Sequence, residues 1–232
     1  MLSKLKSEMK KLASPEKAKA YQWFFKTGKG QYGEGDQFIG LTMPEIRVFA
    51  KKYLDLSLKD TVTLLHSKIH EHRMTALVIL TMKFEKADEK GKKEIYDFYL
   101  KNTEYINNWD LVDVTVHKIV GEFLVDKDRK ILYKLAKSKD LWERRISMIA
   151  CFAFLRRNDF KDALKIAEIL VYDKHDLIHK AVGWMLREIG KKDQPTEEKF
   201  LKKHHKVMPR TMLRYSIERF DEKKRKFYME KD

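Results

Sequence analysis

The side chains best suited to chemistry recur at one spacing. Asn108-Trp109-Asp110-Leu111-Val112-Asp113 sets Trp109 and Asp113 four residues apart, which puts an indole and a carboxylate on one face of a helix. Further on come Trp142-Glu143-Arg144-Arg145, then Lys180-Ala181-Val182-Gly183-Trp184-Met185-Leu186-Arg187, then Arg210-Thr211-Met212-Leu213-Arg214-Tyr215. Together these are the parts of a positively charged groove around an aromatic-flanked carboxylate. Arginines and lysines would hold phosphates without reading sequence. Each residue also has a plainer reading. The tryptophans would be core, Asp110 would favour the positive end of a helix dipole, Asp113 would pair with an arginine, and Arg144 and Arg145 would be solvated.

Other chemistries have less behind them. His66, His70 and His72 lie close together, and His175 and His179 are four apart, but a zinc site needs three or four ligands and no His-Glu-x-x-His occurs. The histidines therefore read as surface groups, and neither metal nor cofactor is expected. Cys151 is the single cysteine; it excludes an intramolecular disulfide, fits a reducing compartment, and sits in an apolar run that reads as core. Five of the nine glycines fall within 28–40, GKGQYGEGDQFIG. Gly28-x-Gly30-x-x-Gly33 matches the dinucleotide fingerprint by letter, but it follows the helical aromatic segment Tyr21–Phe25 and no βαβ unit surrounds it. The stretch reads as a loop between helices with glycines where φ is positive, and Lys29 and its amides offer a phosphate contact.

The 232 residues carry 50 Lys and Arg against 35 Asp and Glu, a net charge of +15. That excess points to a polyanionic partner. With 43% hydrophobic and 12% aromatic residues the chain can bury a core, so wholesale disorder is excluded. Neither a leader-like apolar region nor an 18-residue apolar run is visible, so the expected location is the cytosol or nucleoid.

Helices must position these groups. The runs 109–124, 141–155 and 177–190 repeat their apolar residues at three- and four-residue steps, and no strand pattern stands out. Ser14-Pro15 and Thr42-Met43-Pro44-Glu45 are helix starts, and Pro195 and Pro209 open others. Thr75, Asp110, Arg145, Lys180 and Arg214 follow one another at steps of 35, 35, 35 and 34 residues, each early in an apolar helix. Amphipathic segments 88–101, 127–137 and 160–171 alternate with them. This rhythm predicts an all-α fold, a right-handed HEAT-like solenoid of stacked helical pairs forming one domain over 1–232 with a concave basic groove. The alternative is an ordinary bundle of regular helices. The tail 221–226 reads as a solvated helix end, and the expected state is a monomer.

Trp-Asp-x-Val-Asp from 109, Trp-x-x-Arg from 142 and Lys-Ala-x-Gly-Trp-x-Leu-Arg-Glu from 180, in this order, resemble the AlkD-type DNA alkylation repair glycosylases. FFKTGKGQYGEGDQFIGLTMPEIR from 24 resembles bacterial members, and the similarity extends over about residues 15–220. The resemblance implies a superhelix that cradles duplex DNA. It implies hydrolysis of the N-glycosidic bond of cationic N3- and N7-alkylpurines without flipping the base into a pocket. On this resemblance Trp109, Asp113 and Trp184 are the active-site trio and Arg145 is the matching groove arginine. Arg144, Lys180, Arg187, Arg214 and Lys29 complete the expected DNA contacts. An N-terminal aromatic also touches DNA in such enzymes; Tyr21, Trp23, Phe24 and Phe25 are the candidates. The competing function is a non-catalytic repeat scaffold that binds nucleic acid or an acidic protein.

Overall fold

The computed structural model describes residues 1–230, and among them all regular structure is helical except one isolated parallel bridge between Gln37 and Ile69. The helices gather into two compact units, residues 1–115 and 116 onward. The first holds α1 (Leu2–Lys11), α2 (Pro15–Phe24), α3 (Met43–Lys52), α4 (Leu58–Leu65), α5 (His70–Lys86), α6 (Glu89–Lys101) and most of α7 (Trp109–Val116). The second holds α8 (Lys130–Ala136), α9 (Leu141–Ala150), α10 (Phe152–Leu155), α11 (Lys161–Leu170), α12 (Asp176–Gly190), α13 (Gln194–His204), α14 (Arg210–Ser216) and α15 (Glu222–Met229).

The 35-residue rhythm is real at the level of elements. Thr75, Asp110, Arg145, Lys180 and Arg214 fall in α5, α7, α9, α12 and α14, and α6, α8 and α11 fill the amphipathic intervals. In the first unit α5 is the core helix. Every residue from His70 to Thr81 is buried, and α3, α4 and α6 pack around it. In the second unit α12 plays that part, packed by α9, α11, α13 and α14. Helix starts follow the local chemistry. The Ser14 hydroxyl accepts from the Lys17 amide, and the Thr42 amide and hydroxyl both donate to Glu45, each at 2.7 Å. Asp140 caps α9, and Asp221 caps α15, which makes the basic tail a helix start.

Two expected long helices are broken. The run 109–124 is α-helical only to Val116 and then widens into a π-helical turn over His117–Gly121. A Cβ at Gly121 would lie 2.4 Å from the Ala150 carbonyl oxygen, so the turn packs directly on the end of α9. The run 141–155 breaks at Cys151, whose fully buried thiol donates to the Ser147 carbonyl at 3.4 Å.

The glycine-rich segment is ordered by the helix below it. Glu71, at the start of α5, accepts from the amides of Ile39, Gly40 and Leu41, with Gly40 closest at 2.7 Å. Gly40 has φ +84, and a Cβ there would meet the Ser14 carbonyl oxygen at 2.2 Å. Gly30 and Gly35 also have positive φ, as expected, whereas Gly28 and Gly33 do not.

Gly183 sets a close helix contact in the second unit. A Cβ there would lie 2.5 Å from both the Met212 carbonyl oxygen and Tyr215 Cβ, so α12 and α14 touch at backbone distance. Gly183→Ala is expected to cost about 1–3 kcal/mol by overpacking. A guanidinium unfolding midpoint unchanged from the parent would refute this.

Candidate active site

Asn108 opens α7. Its Oδ1 accepts from the Trp109 amide at 2.8 Å and its Nδ2 donates to Asp36 at 3.2 Å, and the side chain is fully buried. Trp109 and Asp113 follow on one face, both half-buried. Trp109 stacks on Phe25 at 5.4 Å with the planes 22° apart, and the Phe24 ring meets it edge-on at 5.9 Å. The indole is thus half sheltered by the N-terminal aromatics, the group from which one DNA contact is expected. Trp23 is the outlier there, 76% exposed, with Lys26 Nζ 5.0 Å from its ring.

Beneath α7 runs a chain of charges that the sequence reading did not find. His70 bonds Asp36 through Nδ1 at 3.3 Å and Asp110 through Nε2 at 2.8 Å, and Arg73 holds the other oxygen of Asp36 at 2.7 Å. His70 is only 3% exposed, which corrects the reading of the histidines as surface groups. Burial pushes its pKa down, but the Asp110 and Asp36 carboxylates outweigh that and raise it to about 9. Burial would likewise raise Asp36, yet His70 and Arg73 hold it below the usual carboxylate range. His72, two residues on, is the opposite case. Burial, helped by Lys6, lowers it to about 4, so it is a neutral ring, bonded to Ser67 at 3.0 Å. Asp110 does bond the Leu111 amide at the helix start, as a cap would, but its other oxygen belongs to His70.

In the second unit, Trp184 on α12 is half-buried; its Nε1 donates to Glu188 at 3.2 Å and its ring lies 5.8 Å from Phe152. Arg145 is buried and its guanidinium donates to the Leu177 carbonyl, tying α9 to the first turn of α12. Arg144 bonds Asp173 at 2.6 Å, Lys180 pairs with Asp176 at 2.7 Å, and Arg187 pairs with Glu218. Arg214 and, in the first unit, Lys29 are exposed. Trp142 is buried and belongs to the core. His175 and His179 are structural: the first accepts from the Leu177 amide at 3.2 Å, and the second bonds the Asp173 carbonyl.

Residues 5–220 match the family of DNA alkylation repair enzymes. The chain therefore belongs to that family. Comparison with curated protein sequences gives no match. Among solved structures, it resembles a protein of Enterococcus faecalis described as a predicted DNA alkylation repair enzyme, at 16% identity over 90% of this chain and 97% of that one, with a TM-score of 0.69. It also resembles AlkD2 of Streptococcus mutans, at 20% identity over 95% and 97% of the two chains, with a TM-score of 0.56. The smu.31 protein of Streptococcus mutans UA159 is similar too, at 20% identity over 93% and 95%, with a TM-score of 0.53. At these identities the likeness carries the fold, an all-α arrangement of helical repeats. No helix among the described residues is long and apolar enough to cross a membrane.

The charged histidine sets a pH dependence. A folded pKa near 9 against 6.5 unfolded means that the His70 contribution is whole below about pH 6.5 and is lost as pH rises through 9. The loss is expected to be about 3 kcal/mol. Unfolding of the parent and of His70→Gln should therefore converge between pH 6.5 and 9.5. Parallel stability curves across that range would exclude a charged His70.

Proposed function

We propose that this protein is a monofunctional DNA glycosylase that hydrolyses the N-glycosidic bond of cationic N3- and N7-alkylpurines in duplex DNA. The observation that carries the reading is the start of α7, where Trp109 and Asp113 share a face within a family of DNA alkylation repair enzymes. An alkylated purine is already cationic, so the bond electrons leave with the base and neutralise it, and little acid help is needed. Positive charge then develops on the deoxyribose, as in other oxocarbenium-like hydrolyses. Asp113 is the carboxylate that stabilises this charge and positions the water. Trp109, on the same helix face, offers an indole face to this cation, and the resemblance gives Trp184 an aromatic role in the chemistry. The base need not be taken into an enclosing pocket, because the leaving group is activated before the enzyme meets it.

DNA contacts are assigned to Lys29 and Arg214, which are exposed, and to Arg144, Lys180 and Arg187, whose carboxylate partners phosphates would displace. Arg145, whose guanidinium also donates to the Leu177 carbonyl, keeps the role of groove arginine that the resemblance implies. The reaction in this reading uses neither metal nor cofactor, and the protein works as a monomer on DNA in the cytoplasm or nucleoid.

Release of 7-methylguanine or 3-methyladenine from methylated duplex DNA tests the reading. Asp113→Asn is expected to lower excision roughly 10²–10³-fold, with duplex binding kept and with chelator without effect on the parent. Duplex binding without base release by the parent would replace the enzyme by a binding scaffold. Undiminished release by Asp113→Asn would remove that carboxylate from the chemistry.

A further inference from the structure

A cavity of about 460 Å³ opens in the first unit, walled by Tyr21, Trp23, Phe24, Phe25 and Phe38. Its ionisable carboxylates and imidazole are already engaged. Glu71 accepts from the loop amides, and both nitrogens of His70 are held by carboxylates. An occupant is therefore held by faces and shape. The rings around it meet face to face and edge to face: Phe25 lies 15° from Phe38, and Phe38 24° from His70, while Tyr21 and Phe24 stand at 87° and 90° to Phe25. A lining that offers both ring faces and ring edges suits a flat aromatic guest, which can stack on the first and meet the second, better than a branched one. At the rim Trp23 and Phe24 are 76% and 52% exposed, apolar rings left in water beside an apolar cavity. Electronics narrow the guest further. Lys26 stands over the Trp23 ring at 5.0 Å, so that indole already attracts positive charge. Of the ionisable groups on the lining, Glu71 and Asp110 outnumber the charged His70. Electron-poor rings are favoured in such a place.

We propose that this cavity binds the released alkylated purine base, a planar, electron-poor heteroaromatic ring. Phe24 and Phe25 line the cavity and also touch Trp109, so a base freed beside that indole reaches the cavity by passing over two phenyl rings. The identity of the guest rests on the glycosylase reading; the preference for a flat ring does not.

The test is calorimetric titration of the full chain, without DNA, by 3-methyladenine, with cyclohexanol as a non-planar apolar control. Saturable binding of 3-methyladenine, absent for cyclohexanol, is expected. Trp23→Ala should weaken it roughly 10-fold, as loss of one stacking platform does. Ala20→Phe, on the exposed side of α2 and in the cavity lining, should block it. Both variants are checked by circular dichroism for an unchanged helical fold. The proposal is overturned by absence of saturable binding, by equal binding of cyclohexanol, or by binding that neither substitution alters. Excision without 3-methyladenine binding sinks the cavity proposal alone. Binding without excision by the parent sinks the glycosylase reading and leaves the ring site.

Discussion

One buried cation holds the first unit in place. His70 sits between Asp36 from the glycine-rich loop and Asp110 from α7, so a single imidazolium fastens three separate stretches of chain. A charge this deep is tolerable only when paired and hydrogen-bonded, and here both ring nitrogens are used. Arg73 and Asn108 complete the arrangement by donating to the carboxylate oxygens of Asp36. Asn108 also bonds the Trp109 amide, so the position of the indole is set by the same chain of contacts. Such a network is a weak source of net stability, since hydrophobic replacements could fill the space. It is a strong source of uniqueness, because any other register strands a charge in the interior.

Ion pairs elsewhere follow the repeat. Arg129 reaches Asp159 and Asp162, Arg144 reaches Asp173, Arg157 reaches Glu122 and Lys203 reaches Glu168, with separations of 29 to 35 residues. Arg187 to Glu218 spans 31. These distances in sequence are about one helical pair, so charges link each repeat to the next. The two chemistries divide the work inside each unit. Apolar helices such as α5 and α12 supply the continuous core, and charged groups fix how far one pair slides on its neighbour. Gly183 and Gly121 matter for the same reason, since each sets a helix spacing that charges alone leave open.

Periodicity made the helices and their rhythm readable. Ser14, Thr42 and the 35-residue ladder from Thr75 to Arg214 are local signals, and each coincides with an element start or a row helix. The charge chain at His70 carries no such signal. Its partners are 34 and 40 residues away, and nothing in His-Glu-His-Arg at 70–73 distinguishes a buried cation from a solvated run. The breaks at His117 and Cys151 were equally hidden, because apolar spacing continues through both. Trp109 and Asp113 could be placed on one helix face from spacing alone. That Trp109 would lean on Phe25 required the loop to fold back, which depends on Glu71 gathering three amides.

The break after α9 has a chemical consequence beyond geometry. It places the only thiol of the chain at the centre of the second unit, fully buried and donating its proton to a carbonyl. Burial, with Asp162 nearby, pushes the thiol pKa well above its ordinary value, so no thiolate forms at physiological pH. The soft nucleophile that electrophiles attack first in most proteins is therefore withheld here. A member of an alkylation repair family works where methylating agents have been, and this one keeps its own most reactive atom out of their reach.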